Sequence, residues 1–355
     1  KDDLLCPHCG DLPSDFCLLT SGFWPMARDR LHLHLESFRE RPALFHLTEE
    51  RWLAAAKRHR ALAKRLRVTI GWDGDIIDEA LKTADVMINP SPPRDGLRAR
   101  APRLKWIQTT GAGIDSLLPL DWLPRDIALT NNRGAHGAKA EESCAMAISL
   151  LNSRLPQIMA NQRRHIWLPV YTTPVSGKTV VVVGFGDLGQ GAGRAAKKLG
   201  ARVIAVTRSG KATRPADEAH PVSRIDRVLP RADFVVVTTP LTPETRNLLS
   251  RERLALLKPG AALVNIGRSP VVDYEALREK LAEGSLAGAV LDVFQPEPLP
   301  PDSPFWDTPN LIALPHVSCD DPRYIDQLLD AWFANFERFL KGRLLKNRID
   351  PRRGY

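Results

Sequence analysis

The chain has 355 residues, and 50 Lys or Arg against 41 Asp or Glu give it a formal net charge of +9. Hydrophobic residues make up 43% of the sequence and no residue type dominates, a composition that excludes a disordered tail protein. The length fits two domains of about 100–200 residues each, and the wholly apolar runs are far shorter than the about 20 residues of a membrane-spanning helix.

Residues 1–40 match neither of the two units described below, and we interpret them as an N-terminal extension of unknown role. The opening Lys1-Asp2-Asp3 is not a signal-peptide pattern, so we expect a cytoplasmic protein with free thiols. The single Cys6-Pro7-His8-Cys9 motif lacks the second ligand pair of a structural zinc site, and we predict no metal. His32 and His34 are expected to line one face of a strand or loop.

A basic segment follows. From Arg51 to Arg67 there are seven basic residues and no acidic one, with apolar residues at helical spacing. A helix with a solvated basic face is the common explanation of such a run. Nucleic-acid binding is a minor alternative, because no aromatic residues interleave with the charges as they do in single-strand binders. We expect no nucleic-acid partner; salt-sensitive retention on DNA or RNA would contradict this.

From about residue 67, short apolar runs alternate with helix-like segments, which is typical of parallel α/β sheets. The first unit has predicted strands at Val68–Gly71, Val86–Asn89, Leu104–Thr109 and Ile127–Thr130, and predicted helices at Asp75–Lys82 and Ala138–Leu151. The second unit has predicted strands at Thr179–Val183, Arg202–Val206, Phe234–Thr238, Ala262–Ile266 and Ala287–Val293, and predicted helices at Leu188–Leu199 and Tyr274–Glu283. A last helix, Tyr324–Leu340, could fold back on the first unit.

A glycine-rich motif follows the first strand of the second unit. It reads Gly184-Phe185-Gly186-Asp187-Leu188-Gly189, a G-x-G-x-x-G that leaves an apolar strand and opens a helix. Gly184 permits a tight turn, Gly186 lets backbone N–H groups approach a pyrophosphate, and Gly189 allows close packing of helix on strand. Because a helix N-terminus also favours negative charge, these six residues predict a dinucleotide site.

The tip of the next strand indicates which dinucleotide is bound. An acid is expected there when the ribose 2′-hydroxyl is free, as in NAD, but this strand ends in Thr207-Arg208-Ser209-Gly210-Lys211. A guanidinium, a hydroxyl and an ammonium suit a 2′-phosphate, because Arg binds its oxygens through charge-assisted hydrogen bonds. NADP(H) is therefore favoured, with NAD(H) as the alternative.

Ionisable residues stand at three later strand ends, where open α/β sheets place their ligands. They are Arg268, Asp292, Glu297 and His316. Taken singly, Arg268 is more readily explained as a surface ion pair, Glu297 as a loop charge and His316 as a core histidine.

Taken together, and in this order after the glycine loop, these residues form a pattern that resembles that of the D-isomer-specific 2-hydroxyacid dehydrogenases. The resemblance runs from about residue 84 to residue 341. It includes Gly111-Ala112-Gly113-Ile114-Asp115 before the glycine loop and Pro240-Leu241-Thr242-Pro243-Glu244-Thr245 after it.

In that family an Arg, a Glu and a His are catalytic, and Arg268, Glu297 and His316 occupy those positions. Reduction of a 2-oxo acid needs a proton donor facing the developing alkoxide, which is the role of His316. Glu297 would hold the other imidazole nitrogen, and Arg268 would bind the substrate as a forked cation. Backbone N–H groups of Ala112 and Gly113 would bind the substrate carboxylate from the other domain.

The resemblance also assigns the cofactor contacts. Besides the glycine loop they are Thr207, Arg208, Ser209, Thr239, Pro240, Thr245, Ile266, Gly267, Arg268, Asp292 and His316. The family often has Gly where this chain has Ser269 and His where it has Thr239, and we expect these changes to tune affinity only.

The Thr-Arg-Ser tip and the run Cys319–Tyr324 are most similar to the NADPH-dependent glyoxylate and hydroxypyruvate reductase branch. The expected reaction is thus reduction of a small 2-oxo acid to the D-2-hydroxy acid, and the family implies a homodimer. Glu297 argues against the related formate dehydrogenases, which carry Gln there. The rival is a dinucleotide-sensing, co-repressor-like binding protein on the same fold with little turnover.

The predicted fold is therefore α/β, with two doubly wound parallel-sheet domains and an active-site cleft between them. A Rossmann dinucleotide-binding domain would span residues 135–319. A flavodoxin-like substrate domain would join residues 41–134 to residues 320–355.

Overall fold

The computed structural model describes residues 30–351, which form two α/β domains, each built on a parallel sheet. Across these residues, no helix is both long and apolar enough to cross a membrane. The Cys6–Cys9 motif lies outside the described range.

The first sheet has five strands in the order β2-β1-β3-β4-β5. They are β1 Leu31–Ser37, β2 Leu66–Trp72, β3 Val86–Ile88, β4 Trp106–Gln108 and β5 Ala128–Thr130. Helices α1 Glu49–Arg58, α2 Arg60–Ala63, α3 Ile77–Leu81 and α4 Leu97–Arg100 connect them. This strand order is that of flavodoxin, as expected.

Strand β1 is an interior strand of this sheet, paired with β2 on one side and β3 on the other. The prediction that residues 1–40 lie outside both domains is therefore wrong for Leu31–Ser37, and the substrate domain begins before residue 41. On one face of β1, Leu33 and Leu35 enter an apolar core. Polar residues occupy the other face and are buried as well, so the strand does not show the simple apolar pattern of a central strand.

The buried polar face of β1 is satisfied by hydrogen bonds. The rings of His32 and His34 contact the Thr69 hydroxyl at 2.8 and 2.9 Å, and His34 Nε2 lies 2.9 Å from Glu36 Oε2. The other nitrogen of His32 lies 2.9 Å from the Thr83 hydroxyl. Both histidines thus line one face of a strand, as predicted, and burial lowers the pKa of His32 to about 4.

The C-terminal helix α11, Tyr324–Leu340, packs on the first sheet, as its amphipathic pattern suggests. Its Trp332 stacks on Trp106 of β4 with ring centroids 5.4 Å apart. The two ends of the described chain are therefore parts of one domain.

The second domain lies between them and has seven parallel strands in the order β12-β11-β10-β9-β6-β7-β8. The strands are β6 Thr179–Val183, β7 Arg202–Thr207, β8 Glu218–Pro221, β9 Phe234–Val237, β10 Ala262–Asn265, β11 Gly288–Leu291 and β12 Leu311–Ala313. The helices are α5 Gly137–Asn152, α6 Leu155–Arg163, α7 Asp187–Lys198, α8 Ile225–Val228, α9 Arg251–Ala255 and α10 Tyr274–Ala282. Apolar cores cover both faces of the sheet.

Read from the other edge, this order is the doubly wound 3-2-1-4-5-6 with one extra strand. The order reverses between β6 and β9, and such a switch point is where ligands bind in open α/β sheets. Both the glycine loop after β6 and Thr239 after β9 lie there.

We predict that His32 weakens the fold in acid. Its pKa in the folded chain, about 4, lies below the ordinary 6.5, so the unfolded chain takes up the proton first as the pH falls. Stability is lost between those two values, by about 2 kcal/mol from pH 7 to pH 5. Denaturant unfolding of His32→Gln at both pH values should show a correspondingly smaller loss than the wild type.

His165→Asn, at an exposed position, serves as the control. The pH dependence of its free energy of unfolding should be that of the wild type. If His32→Gln lost as much stability as the wild type between pH 7 and pH 5, burial of His32 would not be the cause.

Candidate active site

The glycine loop connects β6 to α7 in a way that only glycine permits. Gly184 has a φ of +87°, in the left-handed region. A Cβ at Gly189 would lie 2.2 Å from the carbonyl oxygen of Gly184, so the helix could not approach the strand as closely with any side chain there. At Gly186, by contrast, a Cβ would meet no atom within 4 Å. The loop is therefore tight on its inner side and open at Gly186.

The other residues of this loop have separate positions. Phe185 packs toward α7, where a Cβ at Gly193 would lie 3.0 Å from its ring. Asp187 is the first residue of α7, and Leu188 follows it. The Asp187 carboxylate is turned toward α5, since a Cβ at Gly137 would lie 2.7 Å from its Oδ1. The backbone of Asp187, rather than its side chain, is thus the part placed to face an anion.

Loops after β9 and β10 close the opposite side. Thr238 Oγ1 donates to the Gly184 carbonyl at 2.9 Å. The hydroxyl of Thr239 is buried and has no hydrogen-bond partner within residues 30–351. Gly267 approaches closely, since a Cβ there would lie 2.9 Å from the Thr239 carbonyl oxygen. An unpartnered hydroxyl beside an open glycine face fits a bound polar ligand such as a dinucleotide.

The remaining predicted cofactor residues occupy the surrounding loops. The Thr207 hydroxyl donates to the Lys211 carbonyl at 3.0 Å and closes the tip of β7. Thr245 Oγ1 donates to the Pro240 carbonyl at 2.7 Å. The buried Ile266 donates its N–H to the Val237 carbonyl between β10 and β9. These contacts order the loops around the switch point.

His316 and Glu297 form a direct pair, as the family resemblance implies. His316 Nδ1 lies 2.8 Å from Glu297 Oε2, and the other carboxylate oxygen accepts the Phe294 N–H at 2.7 Å. A carboxylate at Nδ1 favours a proton on that nitrogen and leaves Nε2 for a reacting group. The His316 side chain is 49% exposed, so Nε2 is accessible to a small molecule.

Asp292 holds the turn that carries His316. Its buried carboxylate accepts the N–H groups of Val317 at 2.8 Å and of Ser318 at 3.1 Å. Burial raises the pKa of Asp292, and the two backbone N–H groups oppose that rise. His316 itself has a φ of +56°, an uncommon value for a residue with a side chain. The position of the imidazole therefore depends on Asp292 as well as on Glu297.

Arg268 reaches across to the first domain. Its Nε donates to Asp115 Oδ2 at 2.9 Å, and its Nη1 donates to its neighbour, the Gly267 carbonyl, at 2.8 Å. A Cβ at Gly113 would lie 1.8 Å from Arg268 Nη2, so the guanidinium rests directly on this loop. Asn131 Nδ2 supports the loop by donating to the Ala112 carbonyl at 2.6 Å. The structure thus brings Arg268 together with the predicted Ala112–Gly113 site.

Sequence reasoning did not assign a role to Asp115, although the residue is part of the motif that it identified. The partner, Arg268, lies 153 positions away, and only the fold shows the contact.

The arrangement provides a forked cation, a half-exposed histidine hydrogen-bonded to a carboxylate and an open glycine loop at a switch point. A cation of this kind binds a carboxylate or carbonyl, and such a histidine can donate or accept a proton. Together they suit the reduction of a carbonyl next to a carboxylate.

Comparisons with known proteins show which proteins the chain is similar to. The family model described as "D-isomer specific 2-hydroxyacid dehydrogenase, NAD binding domain" matches residues 144–318. A glyoxylate/hydroxypyruvate reductase B of Pectobacterium atrosepticum is 31% identical over 289 residues, 77% of this chain and 87% of that protein.

Two solved structures are similar over most of the chain. A D-isomer specific 2-hydroxyacid dehydrogenase from Xanthobacter autotrophicus Py2, in complex with NADPH and MES, is 31% identical. It has a TM-score of 0.77, covering 92% of this chain and 100% of that one. An NADPH-dependent glyoxylate/hydroxypyruvate reductase from Sinorhizobium meliloti, in complex with NADP and sulfate, is 28% identical. Its TM-score is 0.75, with coverage of 91% and 100%.

We predict that alanine substitutions at Gly189 and at Gly186 separate an effect on folding from an effect on ligand binding. Gly189→Ala places a methyl group against the Gly184 carbonyl and should cost about 3 kcal/mol in the free energy of unfolding. Gly186→Ala has room for its methyl group and should stay within about 0.5 kcal/mol of wild type.

Gly186→Ala should nevertheless bind dinucleotide at least about tenfold more weakly, because the methyl group stands where the pyrophosphate approaches the backbone. Denaturant unfolding and fluorescence titration with dinucleotide measure the two effects. Wild-type affinity in Gly186→Ala would show that the open face of the loop does not receive the ligand.

Proposed function

The chain belongs to the D-isomer specific 2-hydroxyacid dehydrogenase family, and from this premise we propose that it reduces a small 2-oxo acid of the glyoxylate or hydroxypyruvate type to the D-2-hydroxy acid. The observation that carries the proposal is the His316–Glu297 pair, held at 2.8 Å in a family site that also contains Arg268. The reductase relatives from Pectobacterium and Sinorhizobium support the substrate class.

In the proposed reaction the chain's own residues bind the acid and supply the proton. The glycine loop, Thr239 and the β7 tip would hold a nicotinamide dinucleotide, which would supply the hydride. Arg268 binds the substrate carboxylate together with the backbone N–H groups of Ala112 and Gly113. As the carbonyl carbon is reduced, His316 donates the proton on Nε2 to the carbonyl oxygen.

Glu297 keeps His316 ready for this step. Its carboxylate accepts a hydrogen bond from the Nδ1–H group, which fixes the ring and stabilises the imidazolium before His316 gives up its Nε2 proton. Because Glu297 is itself held by the Phe294 N–H, the ring cannot turn without breaking its hydrogen bond to a carboxylate that the backbone holds in place.

We predict that His316→Ala lowers kcat by about 10²–10⁴-fold, the usual contribution of a positioned acid. Glu297→Gln should lower kcat less, because the amide retains an acceptor but loses the charge. Steady-state oxidation of NADPH with glyoxylate and hydroxypyruvate measures both, and the dinucleotide affinity of Glu297→Gln should stay at the wild-type value.

A matched control is the His59–Asp330 pair, which has the same 2.8 Å separation. It joins the junction of α1 and α2 to α11, and so belongs to the first domain. His59→Ala should keep wild-type kcat. Undiminished turnover in His316→Ala would remove His316 as the proton donor. A wild type that binds dinucleotide but reduces no 2-oxo acid would favour a dinucleotide-sensing role.

NADPH is the proposed cofactor. No carboxylate stands at the β7 tip, where Thr207 is followed by Arg208 and Ser209. The next acidic residues along the chain have other partners: Asp217 accepts the Val203 N–H, and Glu218 pairs with Arg202. The NADPH and NADP complexes of the two solved relatives support this preference.

We predict that Arg208→Asp reverses the cofactor preference. The substitution removes a cation that would bind the 2′-phosphate and supplies a carboxylate for a ribose 2′-hydroxyl. The ratio of kcat/KM for NADPH over NADH should fall by about 10–100-fold, the value of one or two hydrogen bonds between charged groups. Arg227→Ala, an exposed position in α8, should leave the ratio unchanged. An unchanged ratio in Arg208→Asp would refute this assignment.

A homodimer is proposed from an exposed apolar segment. Large apolar side chains of α6 and the following segment are exposed; they are Leu155, Ile158, Met159, Ile166, Trp167, Leu168 and Tyr171. Trp167 is 96% exposed, and apolar patches of this kind mark protein interfaces. Light scattering should give twice the mass of one chain for the wild type and a lower mass for Trp167→Arg. A monomeric wild type would refute the dimer.

A further inference from the structure

We propose that Asp115 is a positioning residue for substrate binding, one that orients the Arg268 guanidinium from the opposite domain. The inference rests on the proposed function, because it concerns how Arg268 receives a 2-oxo carboxylate. It goes beyond that function in giving the first domain a charged side chain in the site.

Asp115 stands on a rigid turn. It opens the single turn of 3-10 helix Asp115–Leu117, which follows the loop after β4. The residues on either side of the carboxylate, Ile114 and Leu117, are buried in the apolar core between the sheet and its helices. The Leu117 N–H donates to the Ile114 carbonyl at 2.8 Å. The carboxylate is thus fixed to the first domain, while Arg268 belongs to the second.

The hydrogen bonds of Arg268 leave one edge of the guanidinium for a ligand. Of its five N–H groups, the one on Nε points to Asp115 at 2.9 Å, and one on Nη1 points to the Gly267 carbonyl at 2.8 Å. These two bonds fix the plane of the group. The other N–H groups, on Nη1 and Nη2, form an end that a carboxylate binds with two parallel hydrogen bonds.

This distribution of the Arg268 N–H groups indicates that Asp115 positions the guanidinium and does not compete with the substrate carboxylate for it. If Asp115 occupied the Nη1–Nη2 end, a substrate carboxylate would have to displace it. Because Asp115 takes Nε instead, its hydrogen bond does not occupy the Nη1–Nη2 end that we propose for the substrate carboxylate. The charge-assisted bond also keeps a long, flexible side chain in one place before the substrate arrives.

Gly113 lies against both Arg268 and Asp115. A Cβ there would lie 1.8 Å from Arg268 Nη2 and 2.9 Å from Asp115 Oδ2. The guanidinium, the Asp115 carboxylate and the loop backbone are therefore in mutual contact. The two groups proposed to bind the substrate carboxylate, Arg268 and the backbone at Ala112–Gly113, are held side by side by Asp115.

The test compares Asp115→Ala and Asp115→Asn in the full chain. Oxamate, an unreactive analogue of a 2-oxo acid, is titrated into enzyme saturated with dinucleotide, and KM and kcat are measured with glyoxylate. We expect Asp115→Ala to raise both the oxamate Kd and KM at least about tenfold, with a smaller change in kcat. Asp115→Asn should recover most of the loss, because its amide oxygen still accepts the Nε–H.

The dinucleotide Kd should stay at the wild-type value in both variants, which a general loss of structure would not allow. Asp126→Ala is the matched control: Asp126 pairs with Arg98 and Lys105 within the first domain, outside the cleft. It should leave KM and the oxamate Kd unchanged. If Asp115→Ala does not fold, Asp115→Glu replaces it, since moving the carboxylate by one methylene group should raise KM severalfold.

An oxamate Kd in Asp115→Ala equal to or tighter than that of the wild type would overturn the inference, as would an unchanged KM in Asp115→Glu. If the wild type neither binds oxamate nor reduces any 2-oxo acid, the proposed function fails instead. The two failures are thus distinguishable by the behaviour of the wild type alone.

Discussion

The chain passes between the two domains twice, and His136 joins the two connecting segments to each other. The geometry of the cleft depends on this junction. His136 stands at the start of α5, its Nδ1 lies 2.9 Å from the Cys319 carbonyl, and its ring stacks on Tyr324 at 5.1 Å. Ser143 Oγ adds a hydrogen bond to the Ser318 carbonyl at 2.7 Å. The helix that leaves the first domain is thereby tied to the segment that returns to it directly after His316. Changes in domain orientation must pass through these few residues, which also hold the turn that carries His316.

The site itself is an assembly of loops with separate tasks. Asp292 anchors the turn that carries His316, Glu297 fixes the ring, and the glycine loop has an open face at Gly186, where we propose that the dinucleotide binds. Each carboxylate of this group is held by backbone N–H groups, so its orientation follows from the strand end on which it stands. Parallel sheets bring all these strand ends to one edge, and the contact between Arg268 and Asp115 brings the edge of the other sheet to the same place.

Much of this arrangement could be predicted from the sequence, for identifiable physical reasons. Strand β6 and helix α11 have the bounds expected, because a valine run and a long amphipathic pattern have few alternative explanations. Strand β1 was missed because its second face is buried through hydrogen bonds between polar side chains rather than apolar packing. The short strands β8 and β12 give too little pattern to detect. The role of Asp115 depends on how the two domains meet, which no local pattern contains.

The central claim is that this site delivers hydride and proton to a 2-oxo acid with one handedness. Its most direct test is the configuration of the glycerate formed from hydroxypyruvate and NADPH, determined by chiral chromatography after complete conversion. We expect D-glycerate alone. L-glycerate, a racemic product, or no reduction by a protein that binds the dinucleotide would contradict it.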